Sequence, residues 1–391
     1  MKQISKLMLA AVASVALAAP AFAWDFSASG SASAAFNITT TQASKDADAI
    51  GSGGVSSDVG AITLSSTNAD GANTSTLSYA VDWADSGLDE TLSISGSRKV
   101  GDWTGSAGAS YNLDRYGCSN TTDNLSRCGQ SGADTTALTL TDGTMTIVLG
   151  DASHLSSQNV GSGSNAGGAV GFSGDDDAIG ARVGGYNGVS LGYAISDTMS
   201  VAVAYQASGD VADACGSGDA VQDSEATHGI SGTGFSFNGT FGTIGVGATI
   251  CNAATASKVS SVSTSTATST MGVGVTMDFG DIDPWITFGT YSAIGTESKT
   301  GKAEVGTDIG LTYALGTDSV VFSSTSVTGI DTDSAGTAGQ AKVASGMELG
   351  YTTAIGPMGL AIGYGSTTRN QTGGVEGYSY TDIEVEMSIS F

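Results

Sequence analysis

Apolar side chains in this chain recur at every second position wherever they gather. Leu77, Tyr79, Val81 and Trp83 alternate with Thr76, Ser78, Ala80 and Asp82. Met271, Val273, Val275, Met277 and Phe279 share one parity, as do Val305, Ile309, Leu311, Tyr313 and Leu315. Side chains of a β-strand point alternately to its two faces, so each run predicts a strand with one apolar and one small or polar face. Turn residues separate the runs. Leu138 and Leu140 lead into Asp142-Gly143, and Met145, Ile147 and Leu149 lead out, which is the signature of a hairpin on a two-residue turn. Similar junctions stand at Ser196-Asp197-Thr198, Gly242-Thr243, Asp281 to Pro284, Gly316 to Ser319 and Gly356-Pro357. No long segment holds a 3.6-residue period, and Pro20, Pro284 and Pro357 all avoid strand interiors.

Polar stretches rich in Gly, Ser, Asp and Asn lie between these hairpins, at Thr39–Ser57, Asp114–Asp134, Ala152–Asp177 and Ser208–Gly232. Short turns at one end and long loops at the other are the arrangement of an outer-membrane barrel, whereas a soluble sandwich spreads its connections more evenly. The predicted fold is therefore all-β, a transmembrane antiparallel β-barrel with long external loops and short periplasmic turns. Transmembrane strands need about 9–11 residues; about 16 of them, with 14 to 18 as neighbouring solutions, give each strand and its connection about 23 residues. On that count residues 24–391 form a single barrel domain instead of several domains.

Composition narrows the function classes. Thirteen Lys and Arg stand against 38 Asp and Glu, for a formal charge of −25. No basic footprint exists to meet phosphates, so a nucleic-acid partner is excluded. A mean hydropathy of +0.09 with 13% charged residues is unlike acidic disorder, which combines low hydrophobicity with dense charge. The wealth of Gly (58 residues), Ser and Thr disfavours a helical protein.

Residues 1–23 read as a secretory signal peptide: Lys2 and Lys6, the apolar run Leu7 to Ala19, then the Ala21-Phe22-Ala23 cleavage site before Trp24. That run is too short to span a bilayer, and no later stretch reaches the length of a transmembrane helix. Four cysteines suit an exported chain. They allow three pairings, of which a Cys118–Cys128 loop staple with a Cys215–Cys251 bridge is favoured.

The last strand carries a more specific signal. The terminal Phe391, with Ile389, Met387 and Val385 at alternate positions, resembles the C-terminal signal by which Gram-negative outer-membrane porins reach the barrel-assembly machinery. The leader, the turn-and-loop rhythm and the length extend a resemblance to porins of the alphaproteobacterial general type over the whole chain. Ile389 departs from it, since porins usually place an aromatic residue there. The resemblance implies a homotrimer in outer-membrane lipid and lipopolysaccharide, passing small hydrophilic solutes and cations. It also implies an external loop folded into the lumen, for which residues 152–177 are the candidate. Asp175, Asp176 and Asp177 would then face Arg182 across a constriction, within a strand pair at Ala178–Gly192. Porins often line one wall with several arginines; only Arg182 is so placed here.

Asp82, Asp308, Glu348, Asp382, Glu384 and Glu386 all fall on the polar parity of their runs. A wall of one charge sign attracts counterions and repels co-ions, so these acids predict a cation-preferring lumen. The plainer reading is a wet wall whose charge is screened over about 8 Å at physiological salt. Asp281-Ile282-Asp283, Asp331-Thr332-Asp333 and Asn68 to Asn73 offer at most weak Ca2+ binding, because none has the EF-hand spacing. No metal site and no other cofactor is expected. His154 and His228 are the only histidines, both in stretches read as loops, and Val160 to Ser164 lacks the strand–turn–helix setting of a nucleophile elbow. An enzyme is not expected. Trp24, Trp83, Trp103 and Trp285 lie near run ends, where interfacial aromatics or ordinary strand aromatics sit. The competing function is that of an exported acidic surface protein without a pore, an adhesin or surface-layer component.

Overall fold

The structure, a computed structural model, describes residues 24–84, 87–113, 135–150, 158–160, 179–181, 188–206, 227–259, 262–295, 301–331, 340–371 and 377–391. The first strands are β1 (Trp24–Gln42), β2 (Ile50–Asp70), β3 (Asn73–Ala84), β4 (Gly87–Val100), β5 (Trp103–Asn112) and β6 (Thr135–Thr141). Then come β7 (Met145–Gly150), the short β8 (Gln158–Val160) and β9 (Ile179–Ala181), β10 (Gly188–Ser196), β11 (Met199–Gln206), β12 (Thr227–Phe241) and β13 (Ile244–Val259). The remainder are β14 (Val262–Met277), β15 (Ile282–Gly295), β16 (Gly301–Leu315), β17 (Asp318–Asp331), β18 (Gln340–Ile355), β19 (Met358–Gln371) and β20 (Tyr378–Ser390).

Eighteen of these strands form one sheet, while β8 and β9 pair only with each other. β1 pairs with β20 as well as with β2, and the fold is a closed antiparallel β-barrel. Closure removes the sheet's free edges, so each strand of the ring has a partner on both sides. Within the sheet lie two compact units, one centred on Ser57–Asp142 and the other on Gly143–Ser388.

Local chemistry builds the hairpins as the sequence indicates. Asp142-Gly143 joins β6 to β7, and Gly143 takes φ 89°, a conformation glycine reaches without strain. Gly316 does the same at φ 72° between β16 and β17. Alternation then sorts the side chains. In the larger unit Phe235, Ile250, Ile309, Leu349 and Ile383 are exposed on the outer face. The inner face of that unit buries small or polar side chains such as Ala202, Ser236, Thr249 and Thr325, and Val327 packs against its register partner Ala344. In the smaller unit Leu77, Ile94 and Leu138 likewise lie exposed on one parity.

Several boundaries differ from the sequence expectation. The strand count is eighteen, at the upper end of the expected range, because some connections at the loop end are very short: only two residues part β3 from β4 and β13 from β14. Thr39–Ser57 is not all loop, since β1 runs on to Gln42 and β2 starts at Ile50. Likewise β12 starts at Thr227, so His228 lies in a strand, opposite Ser257, and not in a loop. Apolar residues are too sparse at these strand ends to alternate, with Ile50 and Val55 of β2 on opposite parities, so ladder hydrogen bonds, not alternation, define them. Ala178–Gly192 does not form the expected pair of wall strands, because among its described residues Ile179–Ala181 form β9, which pairs with β8, while those from Gly188 on belong to β10 of the large sheet.

Candidate functional site

The inner faces of β15 to β20 carry the carboxylates that the parity argument singles out. On β16, Asp308 is 6% exposed and sits between two donors. Its Oδ1 accepts from Thr325 Oγ1 of β17 at 3.0 Å, and its Oδ2 accepts from the indole N–H of Trp285 on β15 at 3.2 Å. The glycine opposite Trp285 makes the second bond feasible. Gly310 is its register partner, and a Cβ there would overlap the indole ring, so the bare backbone lets the ring lie flat and reach Asp308. Hydrogen bonds to an ionised group are stronger than neutral ones, and this pair of donors holds the carboxylate as an acceptor.

Glu348 on β18 is fully buried at 0% exposure, and its Oε2 accepts from Ser323 Oγ of β17 at 3.4 Å. Asp382 on β20 is 5% exposed. Glu384 and Glu386 follow it on the same face and are half-buried. The strand therefore presents three acids in a row at alternate positions. Asp82 belongs to β3 in the other unit and is exposed. On the inner faces of β16 to β20, the charged groups whose side chains are described are all carboxylates.

Other expected residues fall in different places. Asp175, Asp176, Asp177 and Arg182 lie outside the described residues. The segment that contains them also contains β8 and β9, and this hairpin lies against β13, β14, β15 and β16. Cys251 is buried on β13 and disulfide-bonded, while Cys118, Cys128 and Cys215 lie outside the described residues. Val385, Met387, Ile389 and Phe391 occupy the outer parity of β20 with Ile383. Phe391 exchanges both backbone hydrogen bonds with Gly30 of β1, at 2.8 and 2.9 Å, and its ring covers that glycine.

Trp285 takes the ordinary strand alternative of the two open for the tryptophans. Its indole turns inward to Asp308, whereas Trp83 lies exposed over Gly60. Trp285, Thr325 and Ser323 went unrecognised because pairing them with acids requires the register of three strands. The available signal was local: Asp308-Ile309-Gly310 puts a glycine and an acid on one face beside a tryptophan strand. At the turn end, Asp318 accepts from Thr353 Oγ1 and from Tyr351 OH, both at 2.7 Å. Those bonds, Thr353 first, hold its carboxyl below the usual value of 3.8. The acids at Asp281 and Asp283 lie at the turn into β15, and among the described residues no group of three or more His, Cys, Asp or Glu is placed to hold a metal.

No protein-family model matches the chain, and no curated protein matches it in sequence. Solved structures do match in shape. The outer membrane channel DcaP of Acinetobacter baumannii superposes with a TM-score of 0.55 at 13% identity, covering 94% of this chain and 97% of that one. The fold is that of outer-membrane channels. Pseudomonas aeruginosa OpdQ gives 0.52 at 11% identity over 94% and 98% of the two chains. An anion-selective porin from Comamonas acidovorans gives 0.50 at 13% identity over 94% and 100%.

Proposed function

We propose that this chain is an outer-membrane porin, forming a water-filled channel for passive diffusion of small hydrophilic solutes and preferring cations over anions. The observation that carries the reading is the acidic inner face of β16, β18 and β20, from Asp308 and Glu348 to Asp382, Glu384 and Glu386. No reaction is involved. Wall polarity replaces part of the solute's hydration, and fixed negative charge raises the local cation concentration. That one neighbour of the same fold is anion-selective supports this logic: ion sign follows side chains, because a shared fold does not share a site. The hairpin β8–β9, lying against β13 to β16, is the element that narrows the channel. A homotrimer set in lipid and lipopolysaccharide, delivered to the assembly machinery by the Phe391 strand after removal of residues 1–23, completes the proposal.

Reconstitution into planar bilayers tests it. Discrete conductance steps and a reversal potential of cation-selective sign are expected across a KCl gradient. Anion preference would remove the assignment of the wall acids. Absence of pores, together with electrophoretic mobility unchanged by heating in detergent, would favour the exported surface protein instead. Replacing residues 158–181 by a short linker is expected to raise the single-channel conductance.

A further inference from the structure

We propose that the inner wall holds a partly dehydrated monovalent cation between Glu348 and Asp382, above Gly365, with the Thr367 hydroxyl as a third oxygen. This deepens the channel reading and rests on it. Glu348 of β18 is the register partner of Gly365 on β19, and Gly346 that of Thr367. Gly359 lies beside Ser388 of β20, since a Cβ on the glycine would meet the Ser388 hydroxyl. Counting antiparallel from that pair places Gly365 beside Asp382. The strand is regular over this stretch: Phe391 pairs with Gly30 and the Ser379 hydroxyl donates to Gln42, in one unbroken register with β1. The two carboxylates are therefore two strand spacings apart, about 9.5 Å between their backbones. Only a glycine lies between them.

On this face Asp382 accepts from the Ile383 N–H and the Tyr380 hydroxyl, yet one of its oxygens and the Thr367 hydroxyl on the next rung are left without a partner. Asp382 is 5% exposed and its Oδ1 has no hydrogen-bond partner; Thr367 is 1% exposed and its Oγ1 has none either. Burying a carboxylate oxygen away from both water and donors is unfavourable, and a bound cation supplies the missing partner. Carboxylate and hydroxyl oxygens are hard donors, which suit alkali ions or a primary ammonium and not a soft metal. Among the described residues no group of three His, Cys, Asp or Glu side chains is set to hold a metal, which disfavours a divalent ion cage. Glu384 and Glu386, half-buried on the same face, continue the acidic row along β20 and give the ion a route along the wall.

The test uses the full chain and potassium as the probe. In bilayers, wild-type conductance is expected to saturate with KCl. Asp382→Asn is expected to make it near-linear and to lower the potassium-to-chloride permeability ratio about threefold, with Thr367→Val intermediate. In detergent, the wild type is expected to melt about 3 °C higher in potassium than in N-methylglucamine at equal ionic strength, and Asp382→Asn equally in both. The melting comparison needs only folded wild type, so it decides even where a variant fails to fold. Equal melting in the two salts overturns the site, as does an Asp382→Asn channel with unchanged selectivity and salt dependence. A wild type that forms no channel overturns the channel reading and this inference together. A conducting wild type with an indifferent variant overturns this inference alone.

Discussion

Two stretches of the larger unit solve the same problem with different side chains. In β7, β10 and β11 the strands are only 6, 9 and 8 residues long, and their buried inner positions hold Val148, Ser190, Ala202 and Ala204. From β12 to β19 every strand has 14 to 16 residues, and buried inner positions include Asp308 and Glu348. The outer faces are alike, with exposed Leu191 and Tyr193 in the first stretch and Ile309 and Leu349 in the second. One parity is therefore apolar in both stretches, while the other is free to differ. The buried Asp308 and Glu348 sit where neighbouring strands bring donors, and Trp285, Thr325 and Ser323 are those donors.

Moving an acid to the short strands breaks this comparison most strongly. Ala202 on β11 is buried, between Gly192 and Ser236 in register, with no indole in either partner position. Ala202→Asp is expected to destabilise the folded barrel by about 3 kcal/mol, the scale of a buried charge without full compensation. The measurement is urea-induced unfolding in detergent, followed by tryptophan fluorescence. A variant as stable as wild type would show that the short strands accept charge as readily as the tall ones, and that water, not Trp285 or Thr325, satisfies Asp308.

The same contrast explains what could be read from the sequence. The apolar parity was legible because a strand sorts alternate side chains to opposite faces: Val305 to Leu315 and Ile383 to Phe391 lie on the outer face as expected. Turns such as Asp142-Gly143 were legible because φ > 0 selects glycine. The far ends of β1, β2 and β12 were not, because apolar residues there are too few to alternate: Ile50 and Val55 of β2 fall on opposite parities. Parity set Asp308, Glu348 and Asp382 on one face, and the turn-and-loop asymmetry, not parity, was the ground for turning that face inward. Their partners followed from neither: Trp285 meets Asp308 only through the β15–β16 register, and Glu348 faces Gly365 only through that of β18 and β19.

Gly310 gives a sharper, smaller test. Gly310→Val would drive a branched side chain into the space of the Trp285 ring, displacing the donor of Asp308. Overpacking of this kind costs about 1–3 kcal/mol. Gly105 on β5 is the control, since nothing lies within 4 Å of a Cβ placed there, and Gly105→Ala is expected to change stability by less than about 0.5 kcal/mol. Equal losses in both variants would mean that strand glycines matter for the backbone and not for seating the indole.

The smallest expected effect concerns Asp318, an acid on the outer parity at the turn end, beyond the apolar band. Unlike the inner acids it is open to water, yet Thr353, Tyr351 and Thr317 all donate to it, and its carboxyl is held below the usual value. A depressed folded value means that the ionised form is bound more tightly in the folded state. Its contribution is therefore complete above the ordinary aspartate range near 3.8 and disappears as pH falls through the lower folded value. Asp318→Asn is thus expected to be slightly less stable than wild type at pH 7, with the gap closing at an acid pH below the lowered folded value. Urea unfolding at the two pH values measures the difference. A gap that persists in acid would assign the stabilisation to the turn geometry, and the distinction between donor-held inner acids and solvent-held outer ones would then rest on burial alone.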